Sequence, residues 1–242
     1  MKQRIESALA EGVRKRELWA WAMFDFANSA YTTVVITAVY NAYFVATVAG
    51  RAPYATLAWT LALSCSYALV MLTAPMLGQY ADRHHAKKKL LLLLTIVNVL
   101  ATLALGFTGP GTLVLALALV ILSNVAFGSG ENLCAAFLPE LSKPEAMGRV
   151  SGWGWSIGYL GGLLALGLCL GFITWATGQG WTAEQFVPAC MVITAACFGI
   201  AALPTFLLLK ERGGARPVSG IDPAAPRAWQ AVFASLRRLR EY

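Results

Sequence analysis

The chain has 242 residues, of which 58% are hydrophobic and only 13% charged, and its mean hydropathy of +0.61 lies outside the range of an ordinary soluble domain. Charge is absent from long runs and crowded between them, the pattern of a polytopic helical membrane protein. The net charge of +7 does not point to nucleic acid, because the basic residues sit in short segments between apolar runs.

The basic N-terminal segment, residues 1–18, also carries Glu6, Glu11 and Glu17. The apolar run that follows is too long for a signal-peptide core, so it is read as a retained anchor. Six membrane spans are predicted within 19–209, at about 19–48, 54–80, 90–107, 112–138, 151–177 and 186–209. Each supplies about 20 residues at about 1.5 Å rise, enough for a hydrocarbon core of about 30 Å. With the N-terminus inside, only Arg51 of the 19 Lys and Arg residues falls outside, so both termini are expected to be cytoplasmic.

The first span contains one acid, Asp25, in the run Phe24-Asp25-Phe26-Ala27-Asn28-Ser29-Ala30-Tyr31. A carboxylate in a membrane helix costs roughly 2.5–3.5 kcal/mol on insertion scales, so it signals a function or a partner. At about 100° per residue, Asn28, Ser29 and Thr32 fall within about 60° of Asp25, and Tyr43 returns to its angle. The fourth span is uncharged except for Glu131, with Asn124 two turns before it on the same face. Glu131 lies about 12 Å from Pro139 by helical rise, and Asp25 is at a similar depth from Arg16. The residues alone leave three roles open for these acids: proton uptake, binding of a cationic group, or pairing with a base. A structural role in helix association is the further alternative, above all for the amides.

Between spans two and three stands Gly78-Gln79-Tyr80-Ala81-Asp82-Arg83-His84-His85-Ala86-Lys87-Lys88. An acid at a helix end with bases opposite forms a charge-assisted latch that holds one conformation and releases another. His84 and His85 have no third ligand nearby, so no metal site is expected. Gly154, Gly158 and Gly162 recur every four residues in span five, followed by Gly167 and Gly171, and smooth one face for close helix packing. Trp19, Trp21, Trp153, Trp155, Trp175 and Trp181 mostly fall near span ends, as an interfacial belt would. The five cysteines (Cys65, Cys134, Cys169, Cys190, Cys197) lie in the spans without a CxxC pair and read as packing residues. After 209 the composition turns to Gly, Pro and Arg. Within this cytoplasmic segment, 210–242, the stretch 228–242 reads as an amphipathic helix on the membrane surface or against protein.

The loop at Gly78 to Lys88 resembles the signature loop of major facilitator transporters, matching at Gly78, Asp82, Arg83 and Lys87, with His85 where a glycine is usual. The first span looks like the first helix of one facilitator family, the autophagy-related vacuolar amino-acid effluxers and their bacterial relatives. Two further stretches look like that family: Ala136-Phe137-Leu138-Pro139-Glu140-Leu141, and the run from Arg149 through Trp153-Gly154-Trp155 to Gly162. The resemblance implies an all-α membrane protein whose six-transmembrane-helix bundle is the N-terminal half of a major facilitator fold, built as two inverted three-helix repeats. It implies that spans one and four line a central cavity. On that basis Asp25, Asn28, Thr32, Asn124 and Glu131 are the candidate substrate- or proton-binding residues, Gly78, Asp82, Arg83 and Lys87 the conformational latch, and Gly154, Gly158 and Gly162 the packing surface. The implied function is secondary active transport of a small solute, amino acids among the candidates, by alternating access with ion or proton coupling.

Members of the family have twelve spans, so a C-terminal six-helix half or a second copy is the expected partner, along with membrane lipid and a small-molecule substrate. A half-length fragment or assembly partner that does not itself transport is the alternative. A membrane-embedded enzyme is not expected, because no nucleophile or metal set accompanies the acids. No Walker loop, HExxH or GxSxG motif occurs, so no cofactor and no ATP-driven step is expected. The expected location is the inner membrane of a bacterium.

Overall fold

The computed structural model describes residues 7–212, and the amphipathic stretch expected at 228–242 lies outside the described residues. Among the described residues six helices are long and apolar enough to cross a membrane. They are α1 (Lys15–Val48), α2 (Ala55–Arg83), α3 (Lys87–Leu105), α4 (Leu113–Ala135), α5 (Met147–Gly178) and α6 (Ala183–Leu208). A single turn, Leu138–Leu141, and a short 3-10 turn, Pro144–Ala146, join α4 to α5.

The helices run past the apolar stretches at the end of the bundle that carries most of the basic residues, hereafter the basic end. There α1 begins at Lys15 because the Glu17 carboxylate accepts the free Arg14 N–H at 3.2 Å. The start of α3 is capped from far along the chain. The Glu211 carboxylate accepts the N–H groups of Lys87 at 2.9 Å and Lys88 at 3.3 Å. At the opposite end α6 starts in a capping box, with the Gln185 side chain accepting the Thr182 N–H at 2.9 Å.

The packing has an internal symmetry. The first helix packs mainly against α5 and α6, and α4 against α2 and α3; α3 and α6 pack on each other, and α1 touches α4 more lightly. Exchanging α1, α2, α3 for α4, α5, α6 maps each of these pairings onto another or onto itself. Because α1 and α4 run in opposite directions, this is the arrangement of two inverted three-helix repeats. Half of the apolar window of α4 is buried, against 28% for α2 and for α5. The last two lie outside, each seated by one face on α4 or α1.

Polar side chains tie the centre together, as expected where apolar burial does not distinguish protein from lipid. The Tyr31 hydroxyl bonds Ser123 Oγ at 2.7 Å, Asn98 Nδ2 donates to the Ser123 carbonyl at 2.9 Å, and the Thr205 hydroxyl donates to the Ala20 carbonyl at 2.6 Å. Trp21 donates from Nε1 to the Cys134 carbonyl at 2.9 Å and is buried, so it belongs to the core and not to an interfacial belt.

The first helix is not uniformly α-helical. Thr32–Ala38 and Phe44–Val48 are π-helical, and the Thr37 hydroxyl donates to the Thr32 carbonyl at 3.0 Å. A π turn holds more residues than an α turn, so the face of α1 rotates after Thr32. Tyr43 therefore does not return to the side of Asp25. It is buried and donates to the Thr108 carbonyl at 2.9 Å, beside Tyr40, whose hydroxyl bonds Thr108 Oγ1 at 2.7 Å.

Candidate functional site

Asp25, Asn28, Ser29 and Thr32 stand on one face of α1, before the first π turn. With Phe127 and Glu131 of α4 and Trp155, Gly158 and Tyr159 of α5 they line an open cleft of about 130 Å³. The α5 glycines determine how near its backbone comes. A Cβ on Gly154 would stand 2.5 Å from Asp25 Oδ2 and 2.7 Å from the Trp21 ring. One on Gly158 would stand 3.1 Å from Ser29 Oγ, and one on Gly162 would be 2.6 Å from Thr33 Oγ1. Gly161 is tighter still, since its Cβ would overlap the Phe26 carbonyl oxygen. The Asp25 carboxylate is thus confined between α1 and α5, while Glu131 stands exposed on the α4 side.

Asn28 is only 5% exposed, and its Oδ1 has no hydrogen-bond partner. A buried carbonyl oxygen without a donor is unfavourable, and Asn28 stands between the cleft and a small interior gap that it lines with Asn98, whose Oδ1 also lacks a partner. Among the described residues no lysine, arginine or histidine lines the cleft. Two carboxylates therefore share it without a resident base. A larger crevice of about 350 Å³, between the far half of α1, α5 and α6, is lined almost wholly by apolar groups, with Tyr43 the only ionisable side chain among the described residues that line it.

Four of the five candidate binding residues thus meet in one place. Asn124 does not, and its assignment is corrected. It is fully buried between α4 and α2, with Nδ2 donating to Ser66 Oγ at 2.6 Å. It is two turns from Glu131 along α4, at a depth where α4 packs on α2 and Ser66 stands opposite it. Conversely, Trp155 belongs to the cleft wall and not to an interfacial belt. It pairs with Tyr159 edge to face, at 6.3 Å between ring centroids. The only sequence signal for this pair was two aromatics four residues apart, interleaved with the glycine stripe.

The latch residues separate. Lys87 Nζ bridges Asp82 Oδ1 and Glu140 Oε1, each at 3.0 Å. The Glu140 side chain is 2% exposed and that of Asp82 68%, so the buried partner is the one outside the signature loop. Among the described residues Arg83 makes no ion pair, and Gly78 faces open space on α2. His85 stands in the left-handed region at φ 48°, the conformation that makes glycine usual there.

The network continues beyond the loop. Glu140 Oε2 accepts the Arg212 N–H at 2.9 Å, and Arg212 Nη2 pairs with Glu17 Oε2 at 2.7 Å. Lys88 Nζ donates to the Leu209 carbonyl at 2.7 Å. The segment after α6 is thereby fastened to the basic ends of α1 and α3 and to the α4–α5 connection. Arg149, by contrast, lies over the Trp153 ring at 5.9 Å.

Six membrane-length helices in two interchangeable triplets, with a polar cleft between α1, α4 and α5, define an integral multi-pass membrane protein built as one six-helix half of the major facilitator fold. The chain belongs to the family described as vacuole effluxer Atg22 like, whose model matches residues 45–148 and 142–242. It is 28% identical over 232 residues to YxiO of Bacillus subtilis (strain 168), described as an uncharacterized MFS-type transporter; the match covers 92% of this chain and 53% of that protein. The chain thus spans about half the length of this curated relative. No solved structure matches it.

Proposed function

We propose that this chain forms one half of a secondary transporter, which moves a small solute across the membrane by alternating access. The observation that carries the reading is the pair of acids, Asp25 and Glu131, in one polar cleft with no base among the described residues that line it. Carboxylates in that position persist in a membrane protein where they exchange protons or cations during a cycle. The cleft is open, with Trp155 and Tyr159 exposed along its wall. A second six-helix bundle, from further chain or from a second copy, would close it and complete the pathway.

In this reading the basic end faces the cytoplasm, following the distribution of Lys and Arg, and the membrane is a bacterial inner membrane. The Asp82–Lys87–Glu140–Arg212–Glu17 chain of contacts fastens the basic end of this half, so that it rocks as a rigid body. Proton coupling is assigned to Asp25 and Glu131, and amino acids are the first solutes to try, given the family's effluxer description.

The test is solute flux in proteoliposomes under an imposed pH gradient, with wild type compared against Asp25→Asn and Glu131→Gln. Gradient-driven flux is expected in the wild type and is lost or uncoupled in the variants. Flux with unchanged pH dependence in both variants would refute the coupling. Crosslinking in the same membranes should trap a second bundle against α5 through a cysteine placed at Trp155.

A further inference from the structure

We propose that the cleft recognises an organic cation, a small solute bearing an ammonium group held between the Asp25 and Glu131 carboxylates and against the Trp155–Tyr159 aromatic pair. This names the substrate class of the transport reading and rests on it for movement, though not for binding.

Two independent features of the cleft select positive charge. Its charge-bearing lining is wholly acidic, Asp25 and Glu131, with no lysine, arginine or histidine among the described residues that line it. An anionic solute would meet two like charges at low dielectric, and a neutral one would leave both carboxylates unneutralised unless each held a proton.

The aromatic wall is the second feature. Trp155 and Tyr159 stand 63% and 65% exposed, edge to face at 6.3 Å, on the rim of a cleft that contains two acids. Aromatic faces beside carboxylates attract desolvated cations through the ring quadrupole, with indole the strongest of them. Both rings are carried by the helix whose glycines press it onto Asp25. The carboxylate and the aromatic wall are therefore held in fixed relation.

A proton and a cationic solute would then compete for the same acids. Exclusive occupancy by one or the other is the simplest way for a single cleft to exchange them.

The experiment is equilibrium binding to the purified chain in zwitterionic lipid nanodiscs, with empty nanodiscs as background. Three probes of one shape are compared: phenethylammonium, neutral 2-phenylethanol and anionic 3-phenylpropionate. Phenethylammonium is expected to bind roughly tenfold or more tightly than the alcohol, and the anion not at all. Glu131→Gln and Trp155→Ala should each weaken phenethylammonium severalfold, while Trp155→Phe keeps most of the affinity. Both positions are exposed, so these variants keep the fold even if Asp25→Asn, wedged against Gly154, does not.

Equal affinity for the three probes, binding of none, or variants that bind like wild type would each overturn the proposal. Binding without flux in proteoliposomes would leave it standing and remove the transport reading. Flux restricted to neutral or anionic solutes would do the reverse.

Discussion

Removing the Glu140 carboxylate should destabilise the bundle far more than removing Asp82, although only Asp82 belongs to the recognisable loop. Both acids hold Lys87 Nζ at 3.0 Å, so distance alone does not separate them. Burial does. The Asp82 side chain is 68% exposed, and such a pair is worth roughly 0.2–1 kcal/mol. The Glu140 side chain is 2% exposed and that of Lys87 12%, and breaking a pair of that kind by deleting one partner costs about 3–5 kcal/mol. Glu140→Ala also strips the Arg212 N–H of its acceptor. For a domain of this size about 1 kcal/mol shifts the melting temperature by roughly 2–4 °C. Glu140→Ala should therefore lower Tm by roughly 6–20 °C, and Asp82→Ala by less than about 4 °C. Tryptophan fluorescence during thermal unfolding in detergent reads both, and high salt should affect only the Asp82 contribution. Equal losses for the two variants would refute the reasoning that burial, and not membership of the loop, decides the energy.

Two further outcomes follow from backbone geometry. Gly161→Ala places a methyl group on the Phe26 carbonyl oxygen and should cost roughly 1–3 kcal/mol or more, whereas Gly171→Ala, with nothing within 4 Å, should be neutral or gain up to about 1 kcal/mol; the same unfolding measurement separates them. His85→Gly relieves a left-handed residue at φ 48° and should raise stability by about 1 kcal/mol, seen as a small rise in Tm without loss of protein–lipid association.

Much of the fold was legible because the bilayer imposes it. A run of about 20 apolar residues has few alternatives to a helix when no water can satisfy its backbone. Asp25 and Glu131 were legible for the related reason that a charge in such a run is costly and therefore rare. The helical wheel also placed Asn28, Ser29 and Thr32 beside Asp25, because that part of α1 is regular.

The wheel failed where the backbone departs from it. The π turn at Thr32–Ala38 carries Tyr43 into the core, and nothing in Thr-Thr-Val-Val-Ile-Thr-Ala announces that turn. Asn124 was placed by period alone, and only its Ser66 partner on α2 shows that it ties helices together.

What the sequence determined by itself, then, is what depends on single segments in contact with lipid: six spans, two costly acids and a glycine-lined face. What only the tertiary structure decided depends on groups far apart in the chain. Trp155 and Tyr159 reach the cleft because α5 packs on α1, and the burial of Glu140 depends on the contacts that Lys87 and Arg212 bring to it. The physical reason is that segmental hydropathy is a local property of the chain, whereas the energy of a charge or an aromatic face depends on which neighbours exclude water from it.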